Sequence, residues 1–233
     1  MIETPSPAAN PPPPPPGFAA PETNGPVAAL LKNPRRLADS IAARQNVPSS
    51  IAALFAVGLA GHAAFGLAIG LFSGWTVAAM DAVKMPLAGA GALLLCFPSL
   101  YVFSCVAGSP LSIPQSIALG SAAFAMVGLV LLALAPVAWL FAVSTANLPF
   151  VALLAFLLWL VALGFAARFA EKLGANSLFR RRAGVNLWLC ILALATLQMA
   201  TCLRPMLAQP ENGWRDSGKL FFLAHFAQTL ETD

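Results

Sequence analysis

Between Ser49 and Ser73 the chain carries no Asp, Glu, Lys or Arg, and the same is true between Ser116 and Val143. Stretches of this kind restrict the fold more than any other feature of the sequence. About 20 apolar residues, rising 1.5 Å each, cross the hydrocarbon core of a bilayer. Inside that core the backbone N–H and C=O groups meet no water, so the segment must satisfy them internally, as an α-helix does. Composition agrees. Only 9% of the residues are charged and 59% are hydrophobic, whereas a soluble domain carries roughly 25% charged residues. The fold class expected is all-α: an integral membrane helical bundle of about five transmembrane helices, with amphipathic helices at both ends.

The chain divides by composition into four parts. Residues 1–27 form a Pro-rich tail, including the unbroken run Pro11–Pro16. Such a run has no backbone donors and reads as an extended polyproline-II spacer in the cytoplasm. It lacks the basic start and apolar run of a signal peptide. Residues 28–46 read as an amphipathic juxtamembrane segment. Asn33 and Pro34 look like an N-cap and first-turn proline of a helix reaching about Arg44. Its Leu37 and Ile41 share a face while Arg35, Arg36 and Arg44 fall elsewhere. Residues 47–208 hold the five spans: about Ser49–Ser73, Pro86–Val106, Ser116–Val143, Phe150–Phe169 and Val185–Leu203. Gly74 to Lys84 is read as an exposed connection with Trp75 at the interface. Residues 209–233 make an external tail whose Phe221, Phe222 and Phe226 suit an interfacial helix.

Cations orient the bundle. Lys32, Arg35, Arg36, Arg44, Arg168, Lys172 and Arg180 to Arg182 fall on one side of five spans; Lys84, Arg204, Arg215 and Lys219 fall on the other. The more cationic side belongs in the cytoplasm. The expected location is a bacterial inner membrane, multi-pass, with a cytoplasmic N-terminus and an external C-terminus. The net charge of +4 therefore points to lipid headgroups. No nucleic-acid motif accompanies it, and nucleic acid is not an expected partner.

Little in the spans as drawn suggests chemistry. His62 is their one titratable group at depth, where ionisable residues usually mark function. No second ligand stands at metal spacing from it. Cys96, Cys105, Cys190 and Cys202 read as small apolar side chains. No catalytic residue, cofactor or metal site is expected, and the chain is not read as an enzyme. Gly58, His62, Gly66, Gly70 and Gly74 recur every four residues, a stripe along which another helix can approach closely. Pro98 and Pro136 can kink their helices. Arg204, before Pro205, can reach headgroups or an acidic residue such as Asp81.

Three segments carry a resemblance: Leu30–Leu37 (LLKNPRRL), Cys96–Phe103 (CFPSLYVF) and Gln198–Pro205 (QMATCLRP). They look similar to segments of the Yip-type five-span membrane proteins and their bacterial relatives. The resemblance implies five spans, a cytoplasmic N-terminus and a role in membrane organisation, with no catalytic residues to carry over. The leading expectation is a non-enzymatic inner-membrane scaffold or anchor. It would recruit protein partners, or a second copy of itself, through its termini: Arg35, Arg36 and Arg44 inside, Arg204, Phe221, Phe222 and Phe226 outside. The alternative is a transporter or channel-like subunit with a cavity near Pro98, Pro136 and His62.

Overall fold

Proline stands at several of the helix starts in the structure. A computed structural model describes residues 25–44, 46–106, 112–174 and 182–202. Helices α1 (Pro26–Lys32), α2 (Pro34–Ala42), α3 (Val47–Gly70) and α5 (Ile113–Ser144) each place a proline in the first two positions, where its missing N–H has no helical partner to lose. Asn33 caps α2 by accepting the Arg36 N–H at 3.3 Å. Asn147 accepts the Phe150 N–H at 2.8 Å at the start of α6 (Leu148–Gly174). The remaining helices are α4 (Trp75–Val106) and α7 (Arg182–Cys202). The described residues contain no strand.

α3, α4, α5 and α6 are each long and apolar enough to cross a membrane, and α7 is apolar over its described stretch Leu187–Ala200. The protein is thus a multi-pass all-α membrane bundle. α4 and α5, with 32 residues each, are about 48 Å long at 1.5 Å per residue. They overhang a hydrocarbon core of about 30 Å.

Two boundaries differ from the sequence reading. The span expected to begin at Pro86 begins at Trp75, so Gly74–Lys84 is a turn followed by helix. The core-facing spacing of Val77, Ala78, Asp81, Lys84, Ala88 and Ala92, all buried, runs straight through Pro86. One lost backbone bond does not interrupt it. At the other end α1 is an extra helix, and α2 stops at Ala42 instead of Arg44. Arg44 (φ 57°) and Asn46 (φ 49°) sit in the left-handed region, which reverses the chain before α3.

α3 is the centre of the bundle. It packs parallel to α5 and antiparallel to α4, the sense set by the short connections. A Cβ at Gly61 would collide with the Gly128 carbonyl of α5, and one at Gly128 would stand 2.6 Å from the Gly58 carbonyl oxygen. Two backbones therefore touch where a side chain would not fit. On the α4 side, Gly66 abuts the Asp81 carbonyl and Gly70 abuts Ala78. α7 is tied to α4 by the Trp188 indole, which donates to the Cys96 carbonyl at 3.1 Å. At one end of the bundle Leu30, Leu37 and Ile41 of α1 and α2 are buried in the same cluster as Leu54, Leu100 and Trp188.

Candidate functional site

The core-facing stripe of α4 carries two charged residues. Asp81 is 3% exposed and Lys84 is 5% exposed. Asp81 lies about 9 Å along the axis from Trp75 at 1.5 Å per residue, and Trp75 is exposed where an interfacial aromatic belongs. Gly66 lets α3 lie directly on the Asp81 backbone, so the carboxyl group is walled in by protein. Its Oδ1 is buried with no hydrogen-bond partner among the described residues. Lys84, one turn further along the stripe, attracts it electrostatically. A lone charge in this setting is costly. An opposite charge nearby offsets part of that cost but does not satisfy the free lone pairs of Oδ1. Those lone pairs can take a proton or a cation.

A second polar position lies deeper. His62 of α3 is buried, its ring stacked on Phe124 at 4.5 Å between centroids. Its Nδ1 lies 2.8 Å from the Gly58 carbonyl oxygen. A carbonyl only accepts, so Nδ1 carries the proton and Nε2 is left as an acceptor in the neutral ring. Nε2 faces Gly89 of α4. A cavity of about 20 Å³ opens there, where all five long helices meet.

The residues singled out from the sequence separate into groups. Gly58, His62, Gly66 and Gly70 lie at helix crossings. Gly74 does not: it is exposed, its φ is +105°, and nothing approaches within 4 Å of where its Cβ would stand. The four-residue repeat runs past the end of the helix into a turn that favours glycine. Pro98 and Pro136 are exposed and are absent from the lining of the His62 cavity. Of the three residues expected beside a cavity, His62 lines this one. Arg35, Arg36 and Arg44 are exposed at the end of the bundle capped by α2. Arg204, Phe221, Phe222 and Phe226, with residues 1–24 and 209–233 of the two tails, lie outside the described residues. Among the described residues, no group of three or more His, Cys, Asp or Glu could hold a metal ion.

The sequence reading missed Asp81, Lys84, Gly61 and Gly128. It counted both charges as part of an exposed loop because they precede the next uncharged window. The available signal was the spacing of Val77, Asp81, Lys84 and Ala88, which keeps both charges on the apolar stripe.

The chain matches no family model, no curated protein and no solved structure.

Proposed function

We propose that this multi-pass protein is of the transport class, and that Asp81 takes up and releases a proton or small cation inside the bundle. The buried, unpartnered Asp81 Oδ1 on the core stripe of α4 carries the reading. Ionisable groups within a membrane bundle face its interior and mark ion or proton pathways. The premise that favoured a scaffold, spans free of charge at depth, does not hold for α4. Close crossings at Gly58, Gly61 and Gly66 favour a proton or ion over a bulky organic solute. The end bearing α1 and α2 faces the cytoplasm of a bacterial inner membrane in this reading, following its cations.

The test uses the full chain in liposomes containing a pH-sensitive dye. An imposed pH gradient should collapse several-fold faster than in protein-free liposomes. Asp81→Asn should return the rate to the protein-free level, while Gly164→Ala, at an open site on α6, should keep it. A wild-type rate no higher than that of protein-free liposomes, under both proton and alkali-cation gradients, defeats the reading.

One observation favours the scaffold or anchor reading, which the Yip-type resemblance also implies. α2 is fixed to the bundle by buried Leu37 and Ile41 while Arg35, Arg36 and Arg44 stay exposed. Each cation adds on the order of 1 kcal/mol of attraction near an anionic leaflet. Under that reading, deleting residues 1–27 or changing Phe221, Phe222 and Phe226 to Ala abolishes co-purification of partners, and Asp81→Asn does not.

A further inference from the structure

The cavity at His62 is separate from Asp81. His62 is level with Gly89, which lies about 12 Å along α4 from Asp81 at 1.5 Å per residue. The cavity walls are mostly Leu, Val, Phe and Trp side chains, interrupted by the His62 ring and Thr196 of α7. Its volume of about 20 Å³ exceeds the roughly 10–15 Å³ that one water needs. A water also needs polar partners, and a dry apolar cavity provides none. Here two lining residues carry acceptors. Nε2 has its lone pair on the cavity side, because Nδ1 holds the ring proton against Gly58. The Thr196 hydroxyl spends its proton on the Leu192 carbonyl at 2.7 Å, so its oxygen has lone pairs to offer.

We propose that this cavity is a one-water site. The water donates one hydrogen to His62 Nε2 and the other to Thr196 Oγ1, joining α3 to α7 at the point where the five helices meet. Gly89 is part of the site. A Cβ there would stand 3.2 Å from Nε2 and 2.8 Å from the Phe124 ring, in the space the water needs. The proposal also accounts for a histidine at a position otherwise suited to an aromatic hydrocarbon: the bundle uses its acceptor nitrogen.

Of the two histidines in the chain, the second is His225, so a His225→Gln variant leaves His62 as the only imidazole. That variant, labelled with ¹⁵N-histidine and held in lipid bilayers, is read by solid-state NMR. The expected spectrum shows Nδ1 protonated, Nε2 bare but hydrogen-bonded, and magnetisation transfer from water protons to the ring. Thr196→Val removes one partner at constant shape and should reduce that transfer several-fold. Gly89→Ala should abolish it and move the Nε2 shift toward that of an unbonded ring nitrogen. Three results overturn the proposal: a proton on Nε2 in place of Nδ1, no transfer from water in the parent, or equal transfer in parent and Thr196→Val. The Thr196→Val comparison stands even if Gly89→Ala fails to fold.

Discussion

At Gly61 and Gly128 a single hydrogen atom in place of a methyl group decides whether α3 and α5 can cross where they do. The neighbour at each site is backbone, which cannot rotate away as a flexible side chain can. Gly61→Ala and Gly128→Ala should each destabilise the bundle by about 1–3 kcal/mol, the usual cost of overpacking. Gly164→Ala meets nothing within 4 Å and should be neutral or stabilising by up to about 1 kcal/mol, the helix propensity gained. Equilibrium unfolding in mixed detergent micelles measures all three. Equal effects at Gly61 and Gly164 would show that the crossing is not as close as described. The sequence revealed this contact only in part. Gly58, Gly66 and Gly70 stood out by their fourfold spacing. Gly61 shares the face of Gly58 at a spacing of three, and Gly128 sits in an Ala-rich helix with no pattern of its own. Contact between two glycines of different helices is a property of the fold. Gly74 shows the opposite error: spacing alone does not reveal where a helix ends, although a glycine after its last turn is a common stop signal.

The same limit applies to elements. The apolar windows were legible because hydrocarbon demands them, so α3, α5 and α6 fall within a few residues of the expected spans. The start of α4 was not, because a window rule stops at the first charge, whereas a helix stops only where its backbone turns. How α2 docks was legible only as a tendency, from Leu37 and Ile41 on one face. The structure adds Gln115, which serves two helices at once. Its Oε1 accepts the Ser112 N–H at 2.9 Å and so caps α5. Its Nε2 donates to the Ile41 and Ala42 carbonyls at 3.1 and 3.0 Å, satisfying the C-terminal carbonyls of α2. Gln115→Glu keeps the acceptor and removes the donor, setting a carboxylate against two carbonyl oxygens. An unpaired buried acceptor costs about 1–3 kcal/mol, so α2 should loosen while α5 stays capped. Trypsin cleavage at Arg35, Arg36 and Arg44 should become faster, with the unfolding of the long helices little changed. Unchanged cleavage would mean that buried Leu37 and Ile41 hold α2 without Gln115.

For the whole molecule, the distribution of charge about the bundle leads to an orientation. Lys32, Arg35, Arg36 and Arg44 are exposed beside the start of α3, and Arg168 is exposed toward the end of α6, at the same end. Lys84, near the opposite end, is buried. The proposed orientation puts this cationic end inside, following the positive-inside bias. The last crossing is α7. Its 21 residues reach about 32 Å, enough for a core of about 30 Å. It packs on α4 through Trp188 at Cys96 and Met199 at Gly91. Impermeant maleimide on intact cells tests the crossings of α3 and α7, once Cys96, Cys105, Cys190 and Cys202 have been replaced by Ala. Thr76→Cys should label from outside and Ala43→Cys only after the membrane is opened; both positions are exposed in the fold. Asp216→Cys should label with Thr76→Cys if α7 crosses. If instead it is protected like Ala43→Cys, α7 turns back within the bundle and the crossings number four. Labelling of Ala43→Cys from outside would invert the molecule and place Arg35, Arg36 and Arg44 on the outer face, away from the anionic cytoplasmic leaflet that the anchor reading requires.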